Sequence, residues 1–363
     1  MSTEIPTSMK ALVLEQFGPP EALKYKTVPV PKLNKPTELL VRVVAASVNP
    51  VEAKLRSGNI GSFLVKKNAI LGGDYSGSVV AKGSQVTEFE IGDAVFGTLR
   101  PPSGPQGSYA EYIVVDLQSD KGIAKKPDHV SFRDAAALGV AALTALLAVV
   151  LKAPLPLKYN GQGPRPKVLV IGASGGVGLY GVQVGKAIGA HVVGICSSKN
   201  ASLVKSFGAD RVVDYNDSEA MADLANNEKE SFDVLFDLVG GEYYYKNFSP
   251  LVKKKTGVFA SSVGPVAQFG SSKAGVFDYL GVGAAYAYRQ LFAPCRYAMT
   301  LNLPAYKIPT DILYLLEQNL IKSYIPEENV FTLEEGYKAH QKIESHRTVG
   351  KIVLNISPDD FEK

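Results

Sequence analysis

Between Lys167 and Gly178 the chain reads Lys-Val-Leu-Val-Ile-Gly-Ala-Ser-Gly-Gly-Val-Gly. An apolar, mostly β-branched run, Val168 to Ile171, enters a turn of small residues. A helix-like stretch follows from Val177 to Gly189, then a second apolar run, Val192 to Ile195. Strand, glycine turn, helix and strand within about thirty residues is the layout of a dinucleotide-binding βαβ unit. Such a turn presents backbone N–H groups at a helix N-terminus, where a pyrophosphate can sit. The fingerprint positions are Ala173, Gly175 and Gly178, with an extra glycine at Gly176. The first must be small for the turn, the second lets backbone approach the phosphates, and the third lets helix pack on strand.

The pattern changes along the chain. Up to about residue 130 it is β-rich, with short apolar or alternating runs at Lys10–Leu14, Leu39–Val44, Ser78–Ala81, Ala94–Phe96 and Tyr109–Val115. Ser131-Phe-Arg-Asp134 then forms a helix-start signal before an Ala/Leu-rich run to Leu151. Pro154 to Pro166 reads as a loop. Beyond it, strands expected at 167–171, 191–195, 211–213, 232–237 and 257–261 alternate with helices, which argues for a doubly wound parallel sheet. A helix over Asp311–Asn319 and a final strand over Lys351–Ile356 have no glycine turn of their own and can return to the first domain. The expected organisation is 1–130 plus 310–363 as a β-rich domain, interrupted by a Rossmann domain at 131–309.

At 363 residues the chain is long for one domain. A net charge of +4 with only one triple-lysine run, Lys253 to Lys255, gives no nucleic-acid surface. No run of eighteen apolar residues marks a membrane span. Tyr279 to Leu303 is the richest stretch, and a buried helix pair or an oligomer face accounts for it better than a membrane surface. The segment Met1–Met9 is polar, without a secretory signal and a poor transit peptide, which favours a cytoplasmic location. Two cysteines and four histidines without ligand spacing give no disulfide framework and no expected metal site.

The end of the second strand of the βαβ unit is Cys196-Ser-Ser-Lys-Asn200. Enzymes that prefer NAD place a carboxylate here for the ribose 2′-hydroxyl. Ser197, Ser198 and Lys199 instead suit a 2′-phosphate, so NADPH is the expected cofactor. Lys199 equally suits a solvated helix start. Tyr215 can pack beside the adenosine phosphate or serve domain packing.

Several motifs combine into a family likeness. Gly172-Ala-Ser-Gly-Gly-Val-Gly178, Ala46-Ser-Val-Asn-Pro50, Gly73-Asp-Tyr-Ser-Gly77, Ala142-Leu-Thr-Ala145, Phe207-Gly-Ala-Asp210 and Gly350-Lys-Ile-Val-Leu354 occur in order from about Met9 to Ile356. Together they resemble the zinc-free medium-chain dehydrogenase/reductases. Within these, the chain resembles the quinone oxidoreductase (zeta-crystallin-like) branch and is similar to reticulon-interacting mitochondrial oxidoreductases. The resemblance implies a GroES-like substrate domain, an inserted Rossmann domain, NADPH-dependent reduction and a homodimer. It makes mitochondria the alternative compartment.

Matched positions carry implied roles. Asn49 faces the nicotinamide cleft in the family, although an asparagine before Pro50 can also cap a turn. Thr144 lies near the nicotinamide, or bonds helix backbone. Ser174, Gly176 and Val177 match pyrophosphate contacts. Ser197, Lys199 and Tyr215 match 2′-phosphate contacts. Val239 and Val263 lie in turns, 238–240 and 261–263, that receive the nicotinamide ribose and ring. Lys351 reaches the cofactor or is simply an exposed strand lysine. Glu52 departs from the family's usual aspartate.

A zinc-free site has no Lewis acid to activate an alcohol, so hydride delivery to an already polarised acceptor is the expected chemistry. The acceptor would be a quinone or an α,β-unsaturated carbonyl. Asn49 and backbone N–H groups would steady the oxyanion, and Tyr75 or water would give the proton. The competing expectation is an NADPH-binding regulatory or scaffold protein with little turnover.

Overall fold

The computed structural model describes residues 4–60, 65–99, 106–157, 164–265, 273–301 and 303–363. The chain forms two compact units, one of 1–141, 305–314 and 323–363, the other of 142–304 and 315–322. The described strands are β1 (Ser8–Leu14), β2 (Leu23–Pro29), β3 (Glu38–Val48), β4 (Ala69–Ile70), β5 (Asp74–Lys82), β6 (Ala94–Thr98), β7 (Tyr112–Asp116), β8 (Ile123–Lys125), β9 (Lys167–Ile171), β10 (His191–Cys196), β11 (Arg211–Asp214), β12 (Val234–Asp237), β13 (Val258–Ser261), β14 (Arg296–Met299), β15 (Val330–Thr332) and β16 (Ile352–Asn355).

The first unit is the GroES-like one. Its larger sheet runs β15-β16-β3-β5-β6-β8, with β7 also on β3. A second sheet runs β2-β1-β4. Strand β3 is long and almost wholly apolar because both of its faces are covered. Leu39, Val41 and Val43 enter one core, and Leu40, Ala46 and Val48 another. β2 escaped the sequence reading because five of its seven residues are exposed, leaving little alternation.

The second unit carries a wholly parallel sheet in the order β11-β10-β9-β12-β13-β14. In order of appearance this is 3-2-1-4-5-6, the Rossmann arrangement, with its switch point between β9 and β12. Helix Gly176–Ala187 joins β9 to β10. The expected capped helix after Ser131 is present, with the Ser131 hydroxyl accepting from Asp134 N at 3.1 Å.

Three expectations need correction. The segment from Tyr279 is not a buried helix pair. It is one helix, Val276–Phe292, followed by β14 on the sheet edge. The helix is held down by Arg289, only 3% exposed, while Phe277, Leu291 and Phe292 are exposed. Arg289 stacks over Tyr245 at 3.8 Å and bonds Glu242 at 2.8 Å, so a cation does the anchoring that apolar residues were expected to do. The helix expected over 311–319 starts earlier, as a π turn over Ile308–Ile312, and continues as Leu313–Glu317. Lys351 is not an exposed strand residue, as it precedes β16 and is 5% exposed.

Gln183 fastens residues 315–322 to the Rossmann unit. Its amide donates to Lys322 O at 3.0 Å and accepts from Lys322 N at 2.8 Å. Gln183→Met strands both backbone groups and should cost about 1–3 kcal/mol. The check is a urea titration, and an unmoved unfolding midpoint would refute the clasp.

Candidate functional site

Two clusters of candidate residues form, each inside one unit. In the Rossmann unit the parallel register aligns the carboxyl ends of the strands: Ile171 with Ile195 and Asp237, Cys196 with Asp214, and Asp237 with Ser261. The candidates Ser174 to Gly178, Ser197 to Lys199, Tyr215, Val239 and Val263 all follow these ends, the edge where open α/β sheets take ligands.

The turn after β9 has the form its sequence promised. Gly172 is left-handed at φ 83°. A Cβ on Gly178 would lie 2.2 Å from Gly172 O and 2.8 Å from Ala173 Cα, so helix and turn require glycine there. Gly175 differs. Among the described residues a Cβ there meets only Gly172 O, at an ordinary 3.5 Å. Among the described residues nothing else demands glycine at 175 or fills the space beside the turn. Gly175 gives no side-chain cap, and the first helical turn has no acidic residue. The leading amides of this helix, at Gly176, Val177 and Gly178, thus remain available to an anion. The residues fit a dinucleotide pyrophosphate.

Beyond β10, Ser197 is buried while Ser198 and Lys199 are exposed. Asn200 Nδ2 donates to Ser174 Oγ at 3.2 Å and Ser197 Oγ at 3.3 Å, tying the two candidate loops together. Ser198 is partly diverted, because it bonds the Asp214 carboxylate at the end of β11. Asn216 N also donates to Asp214 at 2.9 Å, and these bonds hold that carboxyl below its usual range. Tyr215 is half exposed beside it. Asp237, which the sequence did not single out, is buried and accepts from Val239 N at 3.0 Å and Gly240 N at 2.9 Å. It shapes the turn that leaves Val239 exposed. Val263 is half-buried, and Thr144 is buried on helix Gly139–Leu146.

The second cluster lies in the GroES-like unit. Asn49 takes the N-cap position of helix Pro50–Ser57, but its amide turns to other side chains. Nδ2 donates to Asp74 Oδ2 at 3.0 Å and to Glu52 Oε1 at 3.3 Å, and Oδ1 accepts from Lys351 Nζ at 2.6 Å. Asp74 also accepts from Ser47 Oγ at 2.9 Å and Val140 N at 2.8 Å. Glu52 accepts from Asn49 N, from Gly73 N at 3.1 Å and from Tyr109 Oη at 3.1 Å. Each of these side chains is at least 95% buried. Tyr75, named from the sequence as a proton donor, is not in this cluster. It is fully buried in the core of Leu39, Val41 and Val95, its hydroxyl has no partner among the described residues, and burial pushes its pKa well above the usual value. A phenol so enclosed does not meet a substrate.

No three His, Cys, Asp or Glu side chains converge as a metal site among the described residues. Both cysteines are buried, and burial raises each thiol to about 11.

Burial, with Asp74 beside it, raises the Glu52 carboxyl to about 7, against the pull of the Asn49 amide. Across the Tyr109 ring, at 5.7 Å, lies His340, fully buried with neither ring nitrogen bonded among the described residues. Burial and Arg56 depress it to about 3. The two groups have opposite linkage signs. Glu52 holds its proton in the fold, so its contribution falls as pH rises from 4.5 to about 7. His340 stays neutral in the fold, so its contribution falls as pH drops from 6.5 towards 3. Between about pH 4.5 and 6.5 the two slopes oppose. Glu52→Gln should unmask a rise in stability with pH of about 1.4 kcal/mol per unit, and His340→Phe a fall of the same size. Denaturant titrations at stepped pH measure both, and parallel slopes in the two variants would refute the pairing.

Comparison with known proteins agrees with this architecture. Residues 35–128 match the family described as alcohol dehydrogenase GroES-like domain, and residues 207–354 the family described as zinc-binding dehydrogenase. The mitochondrial NAD(P)H oxidoreductase RTN4IP1 of Mus musculus is 32% identical over 96% of this chain and 90% of its own length. The chloroplastic quinone-oxidoreductase homolog of Spinacia oleracea is 32% identical over 93% of this chain and 95% of its own. The quinone oxidoreductase of Coxiella burnetii superposes with a TM-score of 0.76 at 28% identity, covering 96% of this chain and all of that one. A GroES-like unit, an inserted 3-2-1-4-5-6 sheet and end-to-end likeness to these proteins lead to one statement. The chain belongs to the medium-chain dehydrogenase/reductase family of oxidoreductases, on its quinone oxidoreductase branch.

Proposed function

We propose that the protein is an NADPH-dependent reductase that passes hydride to a quinone or an α,β-unsaturated carbonyl without a metal. The observation that carries the reading is the turn after β9. Its helix has no side-chain cap, the space at Gly175 is clear among the described residues, and no carboxylate follows in Ser197–Asn200. Gly176 and Val177 amides would hold the pyrophosphate, and Ser174 and Ser197 would line its path. Lys199 is exposed and makes no ion pair among the described residues, which leaves its ammonium for a 2′-phosphate. Val239 and Val263 would bed the nicotinamide end, with Thr144 beside it. NADPH, when bound, supplies the hydride. The chain's own part is to orient the acceptor and to move one proton.

The relatives' names also bear on substrate and place. Quinone oxidoreductase is the name of several, which supports a quinone acceptor. Mitochondrial and chloroplastic are the compartments named, which supports mitochondria for this chain over cytoplasm. A binding protein with little turnover is the second reading. It is favoured by one fact, that the Asn49 amide is already committed to three partners.

The purified protein should oxidise NADPH in the presence of 1,2-naphthoquinone, with kcat/KM at least about tenfold above that for NADH. Lys199→Glu should lower the NADPH value about tenfold and leave NADH within twofold. NADPH binding without turnover on any quinone, enone or enal would reject the reductase and keep the binding protein. Equal use of NADH and NADPH would reject the cofactor assignment.

A further inference from the structure

We propose that the outer face of helix Val276–Phe292 docks on an anionic phospholipid surface. The face lies wholly within the Rossmann unit, and the proposal stands whether or not the reductase reading holds. Phe277, Leu280, Ala284, Tyr288 and Leu291 follow one another in steps of three or four, so they form one stripe along the helix. All five are exposed, Phe277 by 88%, and Val276 and Phe292 widen the stripe. Within it, a Cβ on Gly281 or Gly283 would meet nothing within 4 Å among the described residues. A lone exposed leucine needs no explanation, but a contiguous row of aromatic and aliphatic side chains marks a contact surface.

The helix does not turn this stripe inward, because its opposite face is already fixed. Arg289 donates to Glu242 at 2.8 Å, to Pro265 O at 3.1 Å and to Tyr297 Oη at 3.3 Å. The Tyr286 ring meets the Tyr297 ring edge-on at 6.0 Å. Gln290 Nε2 donates to Tyr297 O. This last bond occupies a carbonyl of β14, the outermost strand of the parallel sheet. A second copy extending the sheet at that edge would have to displace it.

Charge selects the occupant. The stripe itself bears none, and the nearby Asp278 carboxylate accepts from Gly275 N at 2.7 Å. Lys273 is exposed just before the helix and Arg296 just after it. Arg296 and Lys152 line a recess of about 360 Å³ on the flank of the helix, beside Tyr286 and Gln290, and no carboxylate lines it among the described residues. Neither cation makes an ion pair among the described residues. An apolar stripe with cations along its margin is the pattern of a helix lying in the plane of a lipid surface. The rings and aliphatic chains sink below the headgroups, and the cations stay level with the phosphates. A two-fold copy facing this patch would instead bring the cations towards their own counterparts. At 17 residues the helix is too short to cross a bilayer, so it lies on one.

The test is flotation of the full-length protein with vesicles of phosphatidylcholine, alone or mixed about 3:1 with phosphatidylglycerol. Wild type should bind the mixed vesicles at least about tenfold more tightly than the neutral ones, and salt at about 0.5 M should erase the difference. The triple variant Phe277→Ser, Leu291→Ser and Phe292→Ser should lose binding to both by about tenfold or more. The double variant Lys152→Gln and Arg296→Gln should lose about tenfold on the mixed vesicles alone. Circular dichroism checks that each variant folds, and should the serine variant not fold, the glutamine variant decides alone. A wild type that floats with neither vesicle overturns the proposal, as does a folded serine variant that binds like wild type. Equal affinity of wild type and the glutamine variant for the mixed vesicles overturns the anionic partner. A wild-type dimer that ignores vesicles and that the serine substitutions dissociate, read by light scattering, overturns the proposal and gives the face to a second copy.

Discussion

Two carboxyls and one ammonium share the interior of the GroES-like unit, and their charges must balance there. Asp74 and Glu52 are 0% and 2% exposed, and Lys351 is 5% exposed. With all three ionised the cluster keeps one surplus negative charge in a poorly screened place. The structure relieves it by surrounding the acids with donors: Ser47, Val140 N, Gly73 N, Tyr109 and the Asn49 amide. It also raises Glu52 to about 7, where the surplus can be shed as a proton taken up. The segments bearing these groups, 47–52, 73–74, 109, 140 and 351, are held by the same sheet and helices that bury them. Removal of one partner would leave another charged and unpaired, the case in which burial is most expensive.

This is why the two candidate clusters differed so much in legibility. The phosphate turn is local. Strand, glycines and helix follow one another in sequence, and the constraints on Gly175 and Gly178 come from residues a few places away, although Gly172 also faces Leu238 and Val239. The acid–lysine cluster is held by contacts such as Lys351 to Asn49, across 302 positions. Sequence alone offered Asn49 and Lys351 only through family likeness and passed over Asp74. Glu52 was visible as a departure, not as the carboxylate that binds Asn49 N, Gly73 N and Tyr109. Tyr75 misled because β5 is covered on both faces, so alternation did not tell an inward tyrosine from one lining a site.

The same distinction runs through the fold. The strands β9 to β13 were legible because buried parallel strands are short continuous apolar runs bounded by turns. β14 was hidden by its four residues, Arg-Tyr-Ala-Met, two places after Pro294. The preceding helix reversed the usual rule, burying its arginine against Tyr245 and Tyr297 while Phe277, Leu280, Tyr288, Leu291 and Phe292 are exposed.

The pairing of β16 with β3, Ile352 opposite Val48, has a consequence for biosynthesis. During translation, Asn49, Glu52 and Asp74 emerge long before the lysine that neutralises them. At about 5–20 residues per second, the 302 positions between Asn49 and Lys351 amount to a wait of roughly 15–60 s. Most of the Rossmann unit, 142–304, leaves the ribosome in that interval. The nascent GroES-like sheet must stand meanwhile with Ala45–Val48 of its central strand unpaired on the edge that β7 covers only over Glu38–Arg42, a stretch open to chaperones until the last strand arrives.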